Sequence, residues 1–169
     1  AAVYGLRRTE NLRMTEIKAS VEIRLSCDVG EGPCWDDADG SLIFVDITPG
    51  RIFRYRPASG SLSSVDFGQE VGAAIPTDQG GLVVAARDGI YLSDHEGKEP
   101  KLLADIESSQ PSNRMNDAKC DPQGRLWAGT MAFDFAEGAA SLYRIGASGV
   151  ERMLEGLTIS NGLGWSPDA

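Results

Sequence analysis

Apolar and polar positions in this chain follow a two-residue rhythm interrupted by turns, and the same arrangement returns along the sequence. Val21, Ile23, Leu25 and Cys27 alternate with Glu22, Arg24 and Ser26, the period of a half-buried strand. The runs 41–47, 81–86 and 125–130 are apolar at successive positions, as expected of strands covered on both faces by neighbouring sheets. Each run opens on one phrase: Asp39-Gly40-Ser41-Leu42-Ile43-Phe44, Gln79-Gly80-Gly81-Leu82-Val83-Val84 and Gln123-Gly124-Arg125-Leu126-Trp127-Ala128. A second phrase follows each copy, running from Arg51-Ile52-Phe53-Arg54-Tyr55 to Gly60, from Gly89-Ile90-Tyr91-Leu92 to Gly97, and from Ser141-Leu142-Tyr143-Arg144-Ile145 to Gly149. The phrase glycines recur at about 40 to 44 residues, the period of propeller blades made of short strands and turns.

Trp165-Ser166-Pro167-Asp168-Ala169 resembles Trp35-Asp36-Asp37-Ala38-Asp39 and starts a fourth copy. The expected fold is therefore all-β, a β-propeller of four-stranded antiparallel blades, with three blades and the start of a fourth and no helix. Residues 1–19 read as a loosely ordered N-terminal extension and residues 20–169 as one incomplete propeller domain. An open ring would expose an apolar face and a strand edge, so the segment alone is expected to be poorly stable or to associate with itself or with its missing half.

Composition narrows the partners. A net charge of -9 repels phosphate backbones and anionic lipid, which argues against nucleic acid and membrane surfaces. No apolar run approaches the ~20 residues that span a bilayer. The first residues carry Arg7, Arg8 and Arg13 without a continuous apolar stretch, unlike a secretory signal. Cys27, Cys34 and Cys120 are odd in number and lack paired metal spacing, so buried structural thiols and a cytoplasmic location are expected.

Catalytic chemistry is reached by elimination. His95, the only histidine, lies in the polar turn Ser93-Asp94-His95-Glu96-Gly97 and reads as a solvated turn residue. Serine and cysteine nucleophile schemes that need a histidine base are therefore poorly supported. No glycine-rich phosphate loop or dinucleotide fingerprint is present. Carboxylates and carboxamides in inter-strand loops remain, in three segments. Gly30-Glu31-Gly32-Pro33 sets a carboxylate among small residues, either as an exposed turn or as a group free to approach an ion. Asn113-Arg114-Met115-Asn116-Asp117 is dense in hydrogen-bonding side chains that suit a polyhydroxylated or carboxylated ligand, or simply a turn. Ile159-Ser160-Asn161-Gly162-Leu163 holds an Asn-Gly pair, by itself a turn signal.

Taken in order, these segments resemble the regucalcin, gluconolactonase and luciferin-regenerating enzyme family of six-bladed β-propellers. The resemblance covers about residues 20 to 169 and includes Trp35, the run Leu42-Ile43-Phe44-Val45-Asp46-Ile47, and Cys120-Asp121-Pro122-Gln123-Gly124-Arg125-Leu126-Trp127-Ala128-Gly129-Thr130-Met131. It implies a sugar-lactone hydrolase with a divalent metal at one end of the central channel. Glu31 and Asn161 match the family's metal-ligating glutamate and asparagine. Its aspartate, both ligand and general base, falls beyond Ala169. Arg114 and Asn116 match substrate-binding positions, and Asp134 matches a third more loosely.

The resemblance further implies that the ion polarises the lactone carbonyl while a carboxylate activates water. Oxygen ligands suit Ca²⁺, Mg²⁺ or Mn²⁺, and Zn²⁺ also accepts carboxylates. A non-catalytic, calcium-binding or partner-binding propeller of the same family is the alternative reading. A hydrolase of phosphotriesters or aromatic lactones is a third, against which the polar Arg114 and Asn116 pair argues.

Overall fold

The structure, a computed structural model, describes residues 19–166. Twelve strands form three four-stranded antiparallel sheets, and the described residues contain no helix. The first sheet holds β1 (Gly30–Asp36), β2 (Ser41–Asp46), β3 (Arg51–Arg56) and β4 (Ser61–Asp66) in that order. The second holds β5 (Val71–Pro76), β6 (Leu82–Ala86), β7 (Gly89–Ser93) and β8 (Lys101–Asp105). The third holds β9 (Asn113–Cys120), β10 (Leu126–Ala132), β11 (Ala140–Gly146) and β12 (Gly149–Leu157). Each sheet is a meander of neighbouring hairpins, as the doubled phrase predicts. The phrase glycines Gly40, Gly80 and Gly124 have φ of 63°, 85° and 76°, so each supplies the left-handed residue of the turn into the second strand.

Three of the twelve strands, β1, β5 and β9, stand side by side, with β5 packed on both of the others. Two cores fill the spaces between sheets, and the strand period decides which side chain enters which. Leu82, Val84 and Ala86 of β6 join Ile43, Val45, Ile52 and Val71 between the first and second sheets. Val83 and Ala85 point the other way, toward Met115, Ala118, Leu126 and Ala128 of the third. The middle sheet is thus buried on both faces, which accounts for its unbroken apolar run.

Two expectations are not met. The strand expected at 21–27 does not form: Val21 is 66% and Leu25 42% exposed, and no strand among the described residues pairs with this segment. Alternation marks a chain able to form a strand, but the ladder needs a neighbour to supply its hydrogen bonds. Nor are the thiols buried: Cys27 and Cys34 are half-buried and Cys120 is exposed. The expected extension lies almost wholly, and the last three residues of the fourth copy wholly, outside the described residues. Ahead of that copy's Trp165, Ile159 makes an isolated bridge to Met131. No helix among the described residues is long and apolar enough to cross a membrane.

The turn between β9 and β10 is organised by Asp121. Its Oδ1 accepts the amides of Gln123 and Arg125 at 3.0 and 2.9 Å, and its Oδ2 accepts Arg125 Nε at 2.7 Å and the Trp127 indole at 2.8 Å. Burial acts to raise this carboxyl, but the bonds from Trp127 and Arg125 outweigh it and hold it at about 2, below the ordinary 3.8. A depressed carboxyl stabilises the fold above its unfolded value and ceases to do so as pH falls toward its folded value. Urea midpoints should therefore drop between pH 4 and pH 2, and Asp121→Asn should drop less over that window. An equal drop in both proteins would remove Asp121 as the cause.

Candidate functional site

The three inner strands share an irregularity at one end. Aligning the sheets on their repeat glycines places Asp46, Ala86 and Thr130 at the same point, and their partners across the ladder are Gly30, Val71 and Met115. Within two residues of these partners the register slips in every sheet, between Glu31 and Cys34, between Val71 and Ala73, and between Met115 and Ala118, opposite the step from Ala128 to Thr130. Such bulges re-aim side chains and are common beside functional sites. The bulges leave unpaired Gly32 and Pro33 in the first sheet, Gly72 in the second, and Asn116 with Asp117 in the third; Glu31, the last paired residue before the first bulge, takes the same step past Gly30 that Gly72 and Asn116 take past Val71 and Met115. Asn161 precedes Trp165 by the same interval at which Glu31 precedes Trp35, so it holds the corresponding place in the fourth copy.

A cavity of about 280 Å³ opens here, lined by Glu31, Cys34, Ile75, Asp117, Lys119 and Asn161 among others. The structure thus brings the two expected metal ligands to one cavity. Both are exposed, and among the described residues each accepts a hydrogen bond from the next backbone amide: Gly32 N to Glu31 Oε2 at 3.3 Å and Gly162 N to Asn161 Oδ1 at 3.1 Å. Their remaining oxygen lone pairs are available to a cation, and a carboxylate with a carboxamide is a donor set that fits a hard divalent ion.

The expected substrate contacts are placed differently. Arg114 is half-buried, and Nη1 donates to Asn116 Oδ1 and to Met115 O, both at 2.9 Å. Burial lowers its pKa, opposed by the carboxylates of Glu70 and Glu31, so its charge is felt at the cavity. Asn116 is 8% exposed, and its Nδ2 donates to Ser160 O at 2.9 Å. Both ends of this carboxamide are engaged within the protein, and one of them ties β9 to the residue before Asn161. Asp134 lies in the loop after β10, at the same end of the sheet but not in the cavity lining, with Oδ1 accepting the amide of Ala136 at 3.1 Å.

Two groups escaped sequence reasoning. Asp117 closes the recognised Asn113-to-Asp117 segment, yet nothing in that segment signals that its Oδ2 accepts the amides of Gly162 and Leu163 at 3.0 and 3.3 Å. Glu70 belongs to no motif. Only the register shows it directly before Val71, as Arg114 is directly before Met115, with Arg87 Nη1 at 3.8 Å on its other side.

A second set of ligand atoms, from Asp36, Asp39 and His95, lies within 4.8 Å at the opposite end of β1. The chain supplies its own cation there. Arg54 Nη1 is 2.9 Å from Asp36 Oδ2 and 3.2 Å from Asp39 Oδ2, and Arg56 Nη2 is 2.9 Å from Asp39 Oδ2. His95 lies in its turn as expected, but its Nε2 faces Asp39 at 3.3 Å and its carbonyl accepts Arg54 Nη2 at 3.0 Å. This is an ion-pair latch between the first and second sheets. Thiol chemistry is equally ill suited, since desolvation foremost raises the pKa of all three cysteines.

The SMP-30/Gluconolactonase/LRE-like region matches residues 29–169. A 6-deoxy-6-sulfogluconolactonase of Pseudomonas putida is 36% identical over 147 residues, covering 86% of this chain and 50% of that protein. Regucalcin of Danio rerio is 34% identical over 158 residues, covering 92% of this chain and 53% of its own. Among solved structures, regucalcin of Agrobacterium tumefaciens, described as a calcium-binding protein, aligns with a TM-score of 0.78 at 28% identity, over 82% of this chain and 47% of that one. The chain spans about half the length of the curated relatives it matches. The matched region and the alignment of the three sheets with a solved regucalcin agree, and the chain belongs to the SMP-30/gluconolactonase/LRE-like family of propeller proteins.

Proposed function

We propose that the full-length protein hydrolyses sugar lactones with the help of a divalent cation held in part by Glu31 and Asn161. The observation that carries this reading is the convergence of those two side chains, from opposite ends of the described chain, on one cavity, where Glu31 Oε2 and Asn161 Oδ1 each accept a neighbouring backbone amide and keep further lone pairs for a cation. The lactonase relative supports the substrate class. Calcium is the first candidate, because the relative of known structure is described as calcium-binding. When bound, such an ion supplies Lewis acidity to the ester carbonyl.

The chain's own residues then act on the substrate. Arg114, cationic and next to Glu31 electrostatically, offers donors to the oxygens of a hydroxyl-rich ring. Asn116 orients Arg114 by accepting from Nη1, and Asp134 contributes a carboxylate at the same end. In the full-length protein, gluconolactone opening should exceed the spontaneous rate, fall with chelator, and drop at least about tenfold in Arg114→Ala, in keeping with loss of a charged hydrogen-bond donor. Cation affinity should not fall, because the hydrogen bonds of Arg114 go to Met115 and Asn116 rather than to a proposed ligand, and removing its positive charge beside Glu31 favours a cation. Cation binding without turnover on any sugar lactone would make the calcium-binding propeller the better reading.

Self-association of the 169-residue chain on its own is part of this proposal. A cavity of about 730 Å³ on the outer face of the first sheet is lined by Trp35, Leu42, Phe44, Tyr55 and Pro57, and Trp35 is 50% exposed. Leu154, on the last strand of the third sheet, is 53% exposed. Apolar faces of this kind associate in water. Sedimentation velocity should show mass above 18.0 kDa that grows with concentration, and a concentration-independent monomer would refute it.

A further inference from the structure

We propose that Asp117 is a positioning residue that clamps the segment carrying Asn161, so that the bulge of β9 presets one side of the cation site. This rests on the reading of Asn161 as a ligand. Past Leu157 the chain leaves regular structure, and Asn161 is exposed and has no strand partner among the described residues. What holds it differs on its two sides. Before it, Ser160 N donates to Thr130 O at 3.2 Å, and Ser160 O accepts Asn116 Nδ2 at 2.9 Å. After it, one carboxylate oxygen, Asp117 Oδ2, gathers the two successive amides of Gly162 and Leu163.

Two adjacent residues of one bulge therefore grip the chain on either side of Asn161. The grip by Asp117 differs in kind, because one carboxylate oxygen holds two successive amides, at 3.0 and 3.3 Å, where Asn116 makes a single bond of 2.9 Å. Gly162, with φ of 70°, gives the backbone the left-handed turn that brings both amides to the same oxygen. Asp117 forms no salt bridge among the described residues, so these amides are the main compensation for its charge. Its other oxygen, like Glu31, is free to face the cavity, and a direct ligand role is therefore the rival explanation.

Asp117→Ala and Asp117→Asn separate the two. An asparagine oxygen still accepts both amides but carries no charge. In the full-length protein, calorimetric titration with CaCl₂ and with MnCl₂ should show at least about tenfold weaker binding in Asp117→Ala and no more than about threefold in Asp117→Asn, the size of effect usual for groups that orient a ligand. Amide hydrogen exchange of the metal-free protein should quicken at residues 160–163 in the alanine variant and stay near wild type in the asparagine variant. Unchanged exchange in Asp117→Ala overturns the proposal. So does an asparagine variant as weak as the alanine one with exchange preserved, which makes Asp117 a ligand in its own right. Absence of cation binding in wild type sinks the reading of the site instead, and the exchange measurement still decides whether Asp117 is a clamp.

Discussion

In the full-length protein, Glu31→Gln and Asn161→Ala are each expected to lower divalent-cation affinity tenfold or more, about 1.4 kcal/mol. Glu31 contributes a full negative charge at the cavity, and glutamine keeps its size and one oxygen, so the loss reads the charge. Asn161 contributes a neutral oxygen, and alanine removes it without altering the exposed segment's backbone bonds to Asp117. A small all-oxygen site that loses one donor leaves its ion under-coordinated, and water replaces the missing ligand less favourably than a fixed group does. Neither side chain is buried or braces a core, so the fold should be unaffected. Calorimetric titration beside thermal unfolding checks both halves of the expectation. Wild-type affinity in both variants would place the cation elsewhere.

Much of this site was legible because propeller repeats carry their own register. The phrase glycines announce left-handed turns, and the strands that follow them inherit a fixed distance to the inner-strand bulges. Glu31 and Asn161 stand out in sequence because each sits among glycines at that point of its copy. Arg114 stands out too, but the commitment of Asn116 to Arg114 and Ser160 is a contact across the inner strands that no local pattern announces. Substrate and cation roles assigned to separate motifs are thereby joined: Asn116→Ala leaves Ser160 O without its donor beside Asn161, so it should disturb both. Glu70 was invisible for the same reason, since its meaning lies in the Arg114 guanidinium of the next sheet. The strand expected at 21–27 shows the reverse failure, a correct local pattern with no partner among the described residues.

Gly72→Ala is expected to destabilise the protein by about 3 kcal/mol or more, beyond the cost of ordinary overpacking of a core by one methyl group. At 2–4 °C per kcal/mol for a chain of this size, the melting temperature should fall by roughly 6–12 °C. Gly72 holds the place in the second sheet that Glu31 and Asn116 hold in the first and third, yet it presents no side chain. A Cβ there would meet Asn116 O at 2.0 Å and Asn116 C at 2.8 Å, backbone atoms that cannot rotate away. To admit it, β9 would have to retreat from β5, drawing Met115 and Ala118 out of the second core and loosening the hold of Asn116 on Ser160 O. The close approach of β5 and β9 thus gives up one possible ligand position so that the neighbouring bulge can reach the segment around Asn161. Gly164→Ala is the control, since a Cβ at that glycine meets nothing within 4 Å. Thermal unfolding and cation titration of the two variants side by side should show both properties impaired in Gly72→Ala and neither in Gly164→Ala. Equal melting temperatures would mean that β5 and β9 are free to separate, and that the bulge of β9 does not depend on the missing side chain beside it.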